Sequence, residues 1–89
     1  MDKSIHSRIY QRIIARLRTK REEKGISQKQ LGDKTGYPQS YISKIETCER
    51  RMDVLELIKI CEALDISFLT FVKEIDEDIV QKFKAGLIK

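Results

Sequence analysis

The stretch Gln28–Thr47, QKQLGDKTGYPQSYISKIET, decides the fold of this chain. It predicts two short helices separated by the three residues Gly36-Tyr37-Pro38. Gly36 suits the left-handed conformation that ends a helix, and Pro38, which lacks an N–H, suits the start of the next one. So short a connection makes the two helices cross steeply, and Gly32 supplies the small residue that a close crossing needs. This is the geometry of a helix-turn-helix.

The second of these helices, at about 38–47, has separate apolar and polar faces. At about 100° per residue, Ile42 and Ile45 fall on one arc. The opposite arc is polar and carries no carboxylate: Gln39, Ser40, Ser43, Lys44 and Thr47. Side chains of these types bond to base edges and to phosphates. The polar face is therefore typical of a surface that contacts nucleic acid.

Periodicity and capping residues predict a further helix upstream of this unit. Its apolar stripe recurs every four residues: Ile5, Ile9, Ile13 and Leu17. Gly25 ends this first helix. Ser27 and Gln30 then have the spacing of a capping box, which opens the helix that precedes the turn. Helices therefore follow one another closely along the first half of the chain.

Downstream, Asp53 and Glu56 repeat the cap spacing and open a fourth helix that runs to about Leu64. Apolar residues nearly encircle this helix, which predicts that it is the central one. Ser67 can cap a fifth helix, and the acidic run at 76–78 favours the start of a last amphipathic stretch. The prediction is an all-α fold with a five-helix domain over residues 1–75 and a short helical extension over 76–89.

Charge is distributed unevenly along the 89 residues, whose formal net charge is +4. Residues 1–25 hold eight basic and three acidic side chains, and residues 26–52 hold five and three. Residues 53–89 hold five basic and eight acidic side chains. A basic first half suggests a polyanionic partner, and the acidic last third is expected to point away from it.

Composition also limits the class of protein. No apolar run is long enough for a membrane span, and the N-terminus lacks the apolar core of a secretory signal, so we expect a cytoplasmic protein without membrane contact. Cys48 and Cys61 lack zinc spacing, and we expect neither a metal nor another cofactor. The chain has no phosphate loop or nucleophile–base pair, so we do not expect an enzyme.

Beyond the helix-turn-helix itself, the chain resembles the lambdoid-phage repressor and Cro type of regulator, the XRE family. The resemblance extends from Leu17 to about Phe71 and rests on LRTKREEKGISQKQLGDKTG, QSYISKIE, Glu49-Arg50 and LELIKICEALDIS. It implies a five-helix, lambda-repressor-like DNA-binding domain. The function expected is a sequence-specific regulator, chiefly a repressor, that binds a palindromic double-stranded DNA operator as a homodimer. The alternative is an antitoxin or another protein-interaction module, with a toxin as partner and autoregulatory DNA binding.

The resemblance also implies roles for individual residues. The DNA-contacting positions are Gln28, Pro38, Gln39, Ser40, Ser43, Lys44, Thr47, Arg50 and Arg51. Gln28 is expected to touch a phosphate and to brace Gln39, which reads a base. The positions with structural roles are Arg21, Gly32, Gly36 and Glu46, with Arg21 pairing Glu46.

The chain departs from the family pattern at three places. Pro38 replaces the usual Ser or Thr cap, so the reading helix loses a side-chain cap. Cys48 replaces a common Gly or Asn, which strains the loop if the position needs a positive φ. Met52 and Asp53 replace a frequent Asn-Pro-Ser arrangement, which makes a minor-groove contact there doubtful.

Apolar residues beyond the reading unit predict a dimer surface. The residues expected there are Phe68, Phe71, Val72, Ile75, Ile79 and Phe83. A small core has little room to cover all of them, and a leftover apolar patch is usually a partner surface. In the alternative, the C-terminal extension folds back on Ile5, Ile9 and Tyr10 of the first helix.

Overall fold

The structure, a computed structural model, describes residues 7–88. Its elements are α1 (Arg8–Glu23), α2 (Gln28–Thr35), α3 (Gln39–Glu46), α4 (Val54–Ala63), α5 (Phe68–Glu74), a π-helical segment (Ile75–Val80) and α6 (Gln81–Lys84). The described residues contain no strand, which confirms the all-α prediction. Within the same residues no helix has the length and apolar character needed to cross a membrane.

Side-chain caps set the starts of most helices. Ser27 and Gln30 form both arms of a capping box at α2, with distances of 3.0 and 2.8 Å. Asp53 and Glu56 do the same at α4, where both distances are 2.8 Å. The predicted capping boxes are therefore confirmed. The first helix begins at Arg8, so Ile5 of the predicted stripe lies outside the described residues.

One apolar core joins the first five helices. Its buried members are Ile14, Leu17, Leu31, Ile42, Ile45, Ile60, Cys61, Leu64 and Phe71. The apolar residues that nearly encircle α4 are not all covered. Leu55 and Ile58 are exposed, because α4 turns only one face toward the core. This leaves an apolar strip of α4 on the surface.

The C-terminal elements form one continuous helical run rather than two helices. Glu74 and Ile75 both keep right-handed helical angles, and the π-helical segment continues directly into α6. The domain boundary expected after residue 75 therefore falls inside a helix. The acidic run at 76–78 lies within the π-helical segment and does not start a new helix.

This C-terminal run packs back on α1. The Lys20 Nζ atom lies 3.0 Å from Glu74 Oε1, and Arg16 is paired with Asp78. Ile79 is buried, with 2% of its surface exposed. The C-terminal run therefore folds back on α1, as the alternative expected, but its ion pairs lie at Arg16 and Lys20 rather than at Ile9 and Tyr10.

Two residues expected at the dimer surface are corrected by this packing. Phe71 and Ile79 are only 1% and 2% exposed within the single chain, because they belong to its own interior. Neither has surface left to bury against a partner. Phe68 and Ile75 are partly buried against the core, whereas Val72 and Phe83 are exposed.

Candidate nucleic-acid interface

The crossing of α2 and α3 depends on Gly32. A Cβ atom placed on Gly32 would lie 2.6 Å from the carbonyl oxygen of Tyr37, closer than van der Waals contact permits. Gly36 ends α2 with φ +83°, and its amide donates to the Gly32 carbonyl at 2.8 Å. The main chain of the turn therefore packs directly on α2, and this contact sets the angle at which α3 leaves.

The reading helix α3 begins without a side-chain cap. Pro38 is its N-cap residue and makes no side-chain hydrogen bond to it. The amides of Tyr41 and Ile42 donate to the Pro38 carbonyl at 3.0 and 3.2 Å. The start of α3 is thus held by its main chain and by the fixed φ of proline.

The two faces of α3 separate as the helical wheel predicts. Ile42 and Ile45 are each 1% exposed and enter the core. The polar side chains stand on the outer side, where Ser43 is half-buried and four are exposed: Gln39, Ser40, Lys44 and Thr47. Gln39 and Ser40 are exposed at the start of this face, so their side chains are accessible to a groove of DNA.

Thr47, at the end of α3, has partners within the chain. Its hydroxyl lies 2.6 Å from Glu49 Oε2 and 3.0 Å from the Ser43 carbonyl oxygen. Glu49 therefore places a carboxylate beside the polar face, a feature that the sequence analysis did not include.

Glu46 is the centre of a buried polar cluster that joins α1, α2 and α3. The Arg21 guanidinium donates to both of its carboxylate oxygens, with Nε–Oε2 at 2.7 Å and Nη2–Oε1 at 2.9 Å. Arg21 Nη1 also donates to the Ile26 carbonyl at 2.8 Å. Hydrogen bonding to Glu46 raises the pKa of Arg21. The pairing implied by the resemblance is thus formed, and it fixes α3 against α1.

Gln28 belongs to the same cluster. Its side-chain amide donates to Glu46 Oε1 at 2.9 Å. The resemblance implied a brace from Gln28 to Gln39, whereas in the described residues the side-chain nitrogen of Gln28 donates to the buried carboxylate. Gln28 is the first residue of α2, and its side chain is half-buried.

Arg50 has a role within the fold that the sequence analysis missed. Its Nη2 atom lies 2.9 Å from the Tyr41 hydroxyl and 3.0 Å from Glu56 Oε2. The guanidinium also stands over the Tyr41 ring at 4.4 Å from the centroid. Because Glu56 is buried, Arg50 compensates its charge and links the loop to α3 and α4. Nothing in the spacing of these residues signals that contact.

The loop after α3 carries the departure noted at Cys48. Its φ is +60°, a region that favours glycine, so a side chain here is strained by about 1–2 kcal/mol. Burial raises the pKa of the Cys48 thiol. At the end of the loop the Met52 amide donates to the Tyr10 hydroxyl at 2.8 Å, which ties the loop to α1. Arg51, between them in sequence, is exposed.

These features define a helix-turn-helix DNA-binding domain: a short polar helix exposed on one side, set across a second helix by a tight turn and locked from behind by an ion pair. The helix-turn-helix family model matches residues 17–71. The chain belongs to the XRE family of helix-turn-helix transcriptional regulators.

Comparisons with individual proteins agree with this assignment. The chain is 33% identical over 57 residues to an uncharacterized HTH-type transcriptional regulator, y4dJ, of Sinorhizobium fredii, a match that covers 64% of this chain and 74% of the relative. An XRE-family like protein from Pseudomonas syringae pv. tomato superimposes with a TM-score of 0.78 at 35% identity, covering 84% of this chain and 92% of that one. The restriction-modification controller protein C.Esp1396I superimposes with a TM-score of 0.74 at 26% identity, covering 82% and 95%.

Proposed function

We propose that this regulator acts as a repressor that binds a palindromic operator as a homodimer. The observation that carries the proposal is the exposed polar face of α3, with Gln39 at its first turn. Glutamine pairs naturally with the edge of adenine in the major groove, and Ser and Lys side chains reach bases or phosphates. The buried pair of Arg21 and Glu46 holds this face rigid behind the contact, which favours a reading role.

A homodimer is proposed because one reading helix makes too few base contacts to select a genomic site. The exposed apolar residues of α4 and α5 support a surface for it. Ile58 is 40% exposed, Leu69 75% and Val72 38%, and Ile58 and Phe68 line one groove between the two helices. We therefore propose that Ile58, Phe68, Leu69 and Val72 form the dimer surface. No observation on residues 7–88 favours the toxin partner of the antitoxin alternative.

Replacing Gln39 with alanine tests the reading role. On a palindromic site selected from random duplexes, the loss should be about 1–3 kcal/mol, or roughly 5- to 150-fold in affinity. On random-sequence duplex the affinity should change little, because phosphate contacts remain. Fluorescence anisotropy measures both. Gln11→Ala, an exposed glutamine on α1, is the matched control. An equal loss on both duplexes would mean that α3 is not the reader.

The dimer surface is tested by Leu69→Glu, with Leu87→Glu as control. The two leucines are exposed to nearly the same extent, 75% and 73%, but Leu87 lies after α6. Sedimentation equilibrium should show a monomer for Leu69→Glu, because a carboxylate at the interface must be desolvated. Leu87→Glu should remain dimeric. The reverse outcome would move the interface to the C-terminal end.

A further inference from the structure

Arg18 is the outermost member of the polar cluster around Glu46. Its Nε atom lies 3.9 Å from Glu46 Oε1 and 3.7 Å from Glu22 Oε2. Both distances exceed that of a hydrogen bond. Half of the Arg18 side chain is exposed, against less than a tenth for Arg21. Arg18 therefore contacts the cluster without being absorbed into it.

The carboxylate of Glu46 already accepts three hydrogen bonds from other donors. Its Oε1 atom accepts from Arg21 and from Gln28, and its Oε2 atom accepts from Arg21. The single negative charge of Glu46 thus matches the charge of Arg21, and Arg18 is in excess. Glu22 offsets this excess only weakly, since an exposed pair one turn apart is worth about 0.3–0.5 kcal/mol.

The other cations in the second half of α1 differ from Arg18. Arg16 is paired with Asp78, and Lys20 lies within hydrogen-bond distance of Glu74. Both pairs attach α1 to the C-terminal helical run. Arg18 points to a different side of α1, where the elements that carry the reading face meet.

The position of Arg18 also relates it to Gln28. Arg18 Nε and Gln28 Nε2 both approach the same oxygen, Glu46 Oε1, at 3.9 and 2.9 Å. The two side chains are therefore neighbours at the junction of α1, α2 and α3. Gln28 is a predicted phosphate contact, so Arg18 presents its excess positive charge beside the path of the DNA backbone.

We propose that Arg18 binds a backbone phosphate next to Gln28, which adds α1 to the DNA interface. The inference rests on the proposed DNA-binding function. An arginine is suited to this role because its planar guanidinium donates several hydrogen bonds to phosphate oxygens. On binding, the phosphate replaces Glu22 as the partner of the exposed edge of the guanidinium. The contact is independent of base sequence.

The test compares Arg18→Gln with Arg12→Gln on random-sequence duplex DNA. The two variants change net charge equally, but Arg12 lies on the side of α1 that faces Asp78 and Ile79. We expect Arg18→Gln to lose roughly five- to tenfold in affinity per protomer at about 0.1 M salt. The slope of log affinity against log salt should fall by about 0.9 per protomer. Arg12→Gln should leave the slope nearly unchanged, and Arg18→Lys should restore most of it.

An unchanged slope for Arg18→Gln, or an equal change for Arg12→Gln, overturns the phosphate contact while DNA binding by the unaltered chain stands. Absence of salt-dependent binding by the unaltered chain instead overturns the proposed function itself. Thermal melts of each variant show whether the fold is intact. Arg18→Gln should melt within a few degrees of the unaltered chain, because Arg18 is half-exposed, its contacts are long, and Glu46 keeps its pair with Arg21.

Discussion

Arg21→Gln is expected to lower the free energy of unfolding by about 3–5 kcal/mol, because it leaves the buried carboxylate of Glu46 without its charged partner. Glu46 and Arg21 side chains are only 7% and 9% exposed, so water cannot replace the lost donors. The Ile26 carbonyl also loses its hydrogen bond. The total free energy of unfolding of a domain of this size is about 5–15 kcal/mol. The melting temperature of Arg21→Gln should therefore fall by about 10 °C or more.

A double-mutant cycle separates this pair from general damage. Urea unfolding of Arg21→Gln, Glu46→Gln and the double variant should yield a coupling energy of about 2 kcal/mol or more, because the double variant leaves no uncompensated charge. Arg18→Gln serves as control, since Arg18 is itself half-exposed and its contacts with Glu46 and Glu22 are longer than a hydrogen bond. A coupling energy near zero would show that the two side chains act independently and that the α1–α3 junction is held by apolar packing alone.

Gly32→Ala is expected to destabilise the fold by about 2 kcal/mol or more, although alanine favours a helix by about 1 kcal/mol over glycine. The added Cβ would lie 2.6 Å from the Tyr37 carbonyl oxygen. That oxygen belongs to the main chain of the turn, so it cannot move without shifting α3. We therefore expect DNA affinity to fall together with stability. Thermal unfolding and anisotropy measure the two effects.

Gly36→Ala is the matched control for this substitution. Gly36 has a positive φ, but a Cβ there would meet no atom within 4 Å. Its cost is therefore that of backbone strain, about 1–2 kcal/mol, with α3 left in place. A neutral or stabilising effect of Gly32→Ala would show that the close approach of the turn to α2 does not require glycine at position 32.

The helices and the reading face could be predicted from the sequence because their causes are local. The capping boxes of Ser27 and Asp53 each involve residues three positions apart, and Gly36 ends its helix through its own backbone freedom. The polar face of α3 follows from the helical period alone. Charge segregation along the chain pointed independently to a polyanion.

The family resemblance predicted a long-range contact that helical periodicity cannot predict. The pairing of Arg21 with Glu46 joins residues 25 positions apart, and their spacing alone does not reveal it. The family pattern implied it, and the structure has it. The same pattern did not indicate that the side-chain nitrogen of Gln28 donates to Glu46, a contact that forms because buried carboxylate oxygens are satisfied by nearby donors.

By itself the sequence determined the all-helical class, the helix-turn-helix and the side of α3 that faces outward, since each depends on residues within one or two turns of one another. Only the tertiary structure decided which polar side chains are bonded to other groups of the same chain and which apolar side chains are buried in its own core. Arg50 is held by Tyr41 and Glu56, and Phe71 and Ile79 are buried in the single chain. Such contacts depend on how whole helices pack in three dimensions, and a side chain's pattern in sequence does not show whether another element covers it.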